Sequence, residues 1–181
     1  MNDNFKDTMY LAVKLLLTQF VTAVFGLMTC GPAFSLNSKG ALLAVFAVFA
    51  ALFYWFLLFT EVYRTGLKEG MQIRAGRRKF VPLKGLFVAL LYNIPNFIIE
   101  ILLLIGTFYG SYKGVEGMFD VASVTALLWE GAYSGVALMW FSDRLYVWLY
   151  LVAPVMPIIV CTVGYVFGVK QIGYIPPKNR D

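Results

Sequence analysis

The residue best suited to chemistry in this sequence is Glu100, a lone acid inside a long apolar stretch. Asn93 and Asn96 precede it, on either side of Pro95. Counted from residue 86, Glu100 lies about 21 Å along a helix, past the middle of a bilayer core about 30 Å thick. An ionised carboxylate at that depth is costly unless it has a partner or faces the interior of a helix bundle. The pattern predicts an internal polar site that relays a proton or cation or contacts a polar substrate.

Partners for this acid are available in two segments of the chain. Gln19 and Thr22 lie in the first apolar segment, and Asn93 and Asn96 precede Glu100 in its own segment. We expect Gln19, Asn93 and Asn96 to form the polar site with Glu100, and a hydrogen-bonded structural glutamate is the alternative. A second acid, Glu130, is expected to face water or headgroups.

Familiar catalytic constellations are missing from the sequence. The chain has no histidine, which excludes His-based triads and His-containing zinc sites. It carries no Gly-rich phosphate loop with Lys-Ser/Thr and no run of aspartates suited to Mg²⁺. Cys30 and Cys161 lack metal-type spacing. We therefore expect neither an enzyme, nor a metal site, nor a bound cofactor.

The elements that position these residues are membrane-spanning helices. Apolar residues make up 60% of the 181 residues and charged residues only 14%, with a mean hydropathy of +0.74. About 20 apolar residues are needed for one helical crossing. Segments long enough for a crossing occupy roughly residues 10–34, 40–60, 86–109 and 145–169.

Between the second and third segments lies a basic connection, residues 61–85. Its seven basic residues are Arg64, Lys68, Arg74, Arg77, Arg78, Lys79 and Lys84. Short loops rich in Lys and Arg stay on the cytoplasmic side, so we expect a cytoplasmic loop, interrupted as a helix by Gly66, Gly70 and Gly76. The residues expected to contact anionic lipid headgroups or an acidic partner are Arg74, Arg77, Arg78, Lys79 and Lys84. The net charge of +5 is therefore attributed to the membrane and not to nucleic acid.

The number of crossings depends on residues 121–141. If this segment spans, the chain has five crossings; if it does not, the chain has four and both termini are cytoplasmic. Four crossings place the basic residues of the tail, Lys170 onward, on the same side as the basic connection, which obeys the positive-inside bias better. The sequence thus favours an all-α integral membrane protein, a single domain of four transmembrane helices plus one external interfacial or re-entrant helix. Five transmembrane helices are the alternative.

Prolines and small residues predict the local shape of the helices. Pro95 in the third crossing, and Pro154 and Pro157 in the last, predict kinks because proline lacks a backbone donor. Gly164 and Gly168 form a small-xxx-small element, which favours ordinary helix packing over a dedicated dimer contact.

The sequence predicts the function only in outline. Kinked helices with polar interiors favour a small transport-related subunit or accessory protein of a bacterial cytoplasmic (plasma) membrane, with another membrane subunit as a possible partner. The alternative is a non-transporting scaffold or regulatory protein that binds other membrane helices. A water-accessible cavity around Glu100 favours transport, and a dry, filled bundle favours the scaffold.

Overall fold

The computed structural model describes residues 3–36, 40–109, 117–139 and 146–171, and these ranges contain helices and short connections without any strand. The helices are α1 (Asp3–Leu36), α2 (Ala41–Arg74), α3 (Lys84–Tyr92), α4 (Ile94–Tyr109), α5 (Met118–Trp129), a 3-10 turn (Gly131–Tyr133), α6 (Ser134–Met139), α7 (Tyr146–Val152) and α8 (Val155–Lys170).

Three helical stretches in the described ranges are long and apolar enough to cross a membrane: Phe5–Leu36, Ala41–Arg74 and Trp148–Lys170. Two further pairs of helices pass the same test only when each bent pair is taken together. The first pair is α3 with α4, and the second is α5 with the 3-10 turn and α6. The structure therefore confirms an all-helical membrane protein with three to five candidate crossings.

The contacts that join the described helices differ between the two ends of the bundle. Charged side chains join the helices at one end, where Arg78 lies 2.6 Å from Asp7 of α1 and Arg74 donates to Gln171 just after α8. We call this the basic end. At the opposite end, Cys30, Ala33 and Leu43 form an apolar cluster among the described residues, and we call this the apolar end. Helix ends that carry charge belong at the level of lipid headgroups.

The prediction of a loop over residues 61–85 was wrong for most of its length, because α2 continues without interruption to Arg74. Gly66 and Gly70 do not break the helix but lie at its contact with α8. A Cβ atom on Gly66 would stand 2.6 Å from the backbone oxygen of Tyr165, and one on Gly168 would stand 2.3 Å from that of Tyr63. The close backbone packing that glycine permits compensates for its poor helix propensity. The small-xxx-small element of α8 thus serves packing within the chain.

The predicted kinks are present. At Asn93, α3 and α4 meet with a bend of 51°, and the Asn93 side chain donates to the carbonyl of Ala89 across 2.8 Å. Near Pro154 and Pro157, α7 ends at Val152 and α8 begins at Val155. Proline at or near these breaks explains both, because its ring removes one helical donor and restricts the preceding residue.

Residues 121–141 do not form the single helix that was expected. The chain bends by 86° at Glu130–Gly131, while residues 140–141 lie outside the described ranges. At the start of α5, Phe119 packs on Gly106 near the end of α4. The bend contacts Ala23 and Gly26, near the middle of α1. The far end of α6 then packs beside Cys30, Ala33 and Leu43. Both arms therefore reach the same, opposite end of the bundle, and the bend lies between α1 and α2.

Candidate functional site

An amide cluster occupies the middle of the bundle, formed by Gln19, Asn93 and Asn96. Asn96 Oδ1 accepts hydrogen bonds of 2.7 Å from both Gln19 Nε2 and Trp129 Nε1. Asn96 Nδ2 donates to Asn93 Oδ1 at 2.7 Å and to Gln19 Oε1 at 3.3 Å. The side chain of Asn96 thus uses both of its donors and both acceptor positions, so it has no donor left to offer another group.

Three elements bring the cluster together. Gln19 lies on the buried face of α1, Asn93 stands at the break between α3 and α4, and Asn96 follows it one turn later. Trp129 comes from the last turn of α5, at the bend. A buried amide must satisfy its hydrogen bonds, so these residues fix how the bend docks against α1 and α4.

Two acids adjoin the amide cluster, and we call them the acid pair, Glu100 and Glu130. Glu100 in α4 is 7% exposed, and Glu130 at the bend is 3% exposed. Within the part of the chain that the structure describes, Glu100 Oε1 and both carboxylate oxygens of Glu130 are buried without a hydrogen-bond partner. The two carboxyl groups lie within electrostatic range of each other. Buried acids without donors are expensive, which marks them as candidates for function.

The space beside Glu130 is small. A cavity of about 10 Å³ is lined by Glu130, Gln19, Asn96 and Trp129, together with aromatic and proline side chains. This volume is about what one water molecule needs. A polar wall with unmet acceptors and room for one water suits a proton, a water or a small cation, and it does not admit an organic solute in this conformation.

The site differs in part from the sequence-based prediction. Gln19, Asn93 and Asn96 come together as expected, but no hydrogen bond joins them to Glu100 in the described residues. Thr22, the other expected partner, donates to the carbonyls of its own helix instead.

Glu130 was expected to face water or headgroups, and this was wrong because the bend carries it into the bundle. The sequence around it nevertheless carries a signal of burial. The residues after it, Gly131-Ala132-Tyr133-Ser134-Gly135, are small or aromatic and uncharged, and all five are buried. A lone acid beside such a run indicates close packing, not an exposed surface.

A third buried acid, Glu69 of α2, has the partners that the acid pair lacks. It is 8% exposed and forms a salt bridge with Lys84, which is equally buried. Tyr165 of α8 donates to its other oxygen at 2.8 Å, and Arg78 stands 3.8 Å away. We call these four residues the Glu69 cluster. It joins α2, α3 and α8 at the basic end.

The predicted headgroup contacts divide into two groups. Arg74, Arg77 and Lys79 are exposed at the basic end, and Arg78 is half-buried between Asp7 and Glu69. Their contact with lipid remains a prediction. Lys84 is different, because it is buried and paired with Glu69 as the first residue of α3.

The fold and site together define a polytopic helical membrane protein with a polar interior. No group of three or more His, Cys, Asp or Glu residues in the described ranges could hold a metal ion. The chain matches no protein-family model, no curated protein and no solved structure.

Proposed function

We propose that this chain is a small transport-related membrane subunit whose acid pair binds protons or a small cation. The observation that supports this most is the state of Glu130, with both oxygens buried and unpartnered in the described residues. A group of this kind costs free energy, and in membrane proteins it typically marks an ion pathway or a proton relay.

The chemistry of the unmet groups defines the class of ligand. Glu100 and Glu130 offer acceptor oxygens, while both amide donors of Asn96 and the indole donor of Trp129 are already used. The ligand must therefore bring positive charge or donors of its own. The cavity beside Glu130 limits its size to about that of one water, which favours a proton, carried directly or through water, or a small monovalent cation.

The path of the chain supports four crossings. Both arms of the bend at Glu130–Gly131 reach the apolar end of the bundle, as expected of a re-entrant hairpin. The crossings are then α1, α2, α3 with α4, and α7 with α8. The basic end is assigned to the cytoplasm of a bacterial cell by the positive-inside rule. Five crossings remain the alternative.

A reporter fused at the C-terminus tests this topology. Four crossings predict that it lies on the same side of the membrane as a reporter inserted at Gly76, in the connection after α2. A reporter on the other side would show five crossings, and the hairpin would then be a broken span.

Ion movement through purified, reconstituted protein tests the function. Proteoliposomes carrying an ion gradient and a pH-sensitive dye inside should show proton or cation flux with the unaltered chain. Flux should fall at least tenfold in Glu100→Gln and Glu130→Gln, because neither amide can take up a proton or balance a cation. Asp120→Asn is the matched control, since this acid is exposed in the first turn of α5. Flux unchanged in both site variants would contradict the proposal.

A membrane scaffold is the second candidate, supported by the filled interior of the bundle. Apart from the space for one water, the site around Gln19, Asn96 and Glu130 is closely packed. A scaffold predicts that reconstituted protein carries no flux and that the Glu130→Gln variant still binds the same membrane partner. Flux that depends on Glu130 would exclude this reading.

A further inference from the structure

A groove of about 310 Å³ opens at the basic end, beside the Glu69 cluster. Its walls come from the start of α1, the last turns of α2, the connection after α2 and the first turn of α3. Arg78 ties the connection to α1, because it lies 2.6 Å from Asp7. The groove is therefore built from four parts of the chain and is not a single exposed loop.

Charge in the groove favours an anion. Three cations line it, Arg78, Lys79 and Lys84, against the single carboxylate of Glu69. Asp7 also contacts Arg78. With both carboxylates counted against the three cations, the groove keeps a net charge of about +1. Arg78 is a fork-shaped donor that suits phosphate oxygens, and Lys79 adds an exposed ammonium group.

Apart from the buried Thr8, the rest of the groove wall is apolar, and most of it is exposed. Leu83 is 65% exposed and Phe87 is 53% exposed, and Ile73 and Val81 complete the wall. Exposed leucine and phenylalanine side chains next to three cations are out of place in a site for a small soluble anion. The same combination suits a molecule with a phosphate at one end and acyl chains at the other.

We propose that this groove binds one anionic phospholipid, with its phosphate against Arg78 and Lys79 and its acyl chains along Leu83 and Phe87. The position supports this assignment, because the groove lies at the charged end of the helices, where headgroups lie. The lipid bridges α1, the connection after α2, and α3. This site does not rest on the proposed ion-binding function.

Lipid retention by the full-length purified chain tests the site. The protein in detergent is mixed with equal amounts of phosphatidylglycerol and phosphatidylcholine of identical acyl chains, and bound lipid is counted by native mass spectrometry. The unaltered chain should retain one phosphatidylglycerol in preference. Lys79→Gln should lower that preference about fivefold, which corresponds to the ~1 kcal/mol that one lysine contributes near anionic lipid.

Matched controls separate a site from diffuse attraction. Lys68→Gln removes the same charge from an exposed position of α2 outside the groove, and its effect should be less than about twofold. Leu83→Ala should weaken retention several-fold, whereas Leu90→Ala, an exposed leucine of α3 away from the groove, should not. Equal losses in Lys79→Gln and Lys68→Gln would overturn the proposal. Thermal unfolding gives a second test. If inorganic phosphate alone stabilises the protein as much as phosphatidylglycerol does, the proposal is also overturned.

Discussion

Two regions of this molecule bury glutamates to nearly the same degree and treat them in opposite ways. At the basic end, Glu69 is 8% exposed and has an ammonium group and a phenol against its two oxygens. In the middle of the bundle, Glu130 is 3% exposed and has neither kind of partner in the described residues. Burial alone therefore does not distinguish the two acids, whereas the supply of donors does.

The difference arises from how each region uses its donors. In the Glu69 cluster, Lys84 and Tyr165 donate to the acid, and Arg78 adds positive charge 3.8 Å away while it donates to Asp7. The three amides of the amide cluster instead form hydrogen bonds with one another, and Asn96 also accepts one from Trp129. The amides thereby hold the bend in place, and the acid pair is left with acceptors to fill. This contrast predicts opposite responses to mutation at the two regions.

The largest effect on stability should come from Lys84→Met. This change leaves Glu69 buried without its ammonium partner, and we expect a loss of about 3–5 kcal/mol in the free energy of unfolding. Unfolding in mixed detergent micelles measures it. Lys68→Met, an exposed lysine of α2, is the control and should change stability by less than about 0.5 kcal/mol.

Adding Glu69→Gln to Lys84→Met should restore part of the loss, because the buried carboxylate that lost its lysine partner is then replaced by a neutral amide. A Lys84→Met variant as stable as the unaltered chain would show that the Glu69–Lys84 pair does not stabilise the fold. The contrast between Glu69 and the acid pair would then be wrong.

The next effect concerns the contact between α2 and α8, the helices that carry Glu69 and Tyr165. Gly168→Leu places a side chain where the backbone oxygen of Tyr63 already stands, and it should cost about 1–3 kcal/mol or more through overpacking. Gly31→Leu in α1 is the control, since a Cβ atom there meets nothing within 4 Å. Equal stability of the two variants in the same unfolding assay would contradict the close packing of α2 and α8.

A smaller effect is expected for Trp129→Phe. The ring is kept, but the hydrogen bond from its indole N–H to Asn96 is lost, which should cost about 1 kcal/mol. Trp148→Phe, at a tryptophan that is 61% exposed, should have no measurable effect. If both changes are neutral in the unfolding assay, Trp129 does not fix the bend as described.

The smallest effect on stability should come from Glu130→Gln. No donor is lost and one expensive acid is removed, so the free energy of unfolding should stay within about 1 kcal/mol of the original or rise. Asp120→Asn provides the reference for an exposed acid. A loss of several kcal/mol in Glu130→Gln would reveal a structural partner for this carboxylate, and the two regions would no longer differ in kind.

Much of this arrangement could be predicted from the sequence, and the reasons for the remainder are physical. Apolar length predicted the membrane helices, and Pro95 predicted the break that brings Asn93 and Asn96 to Gln19. The continuation of α2 to Arg74 was missed because helix propensity penalises Gly66 and Gly70, whereas their contact with α8 is long-range. The burial of Glu130 was not predicted, because the helical periodicity of residues 121–141 does not reveal the bend of 86°.

The most direct test of the central comparison is the reaction of each acid with a hydrophobic carbodiimide. This reagent enters the membrane and modifies carboxyl groups that have no cationic partner. Peptide mass analysis of the treated protein should find the adduct on Glu100 or Glu130, absent from Glu69, and lost from position 130 in Glu130→Gln. Labelling of Glu69 as fast as the acid pair, or no labelling of either member of the pair, would contradict the account.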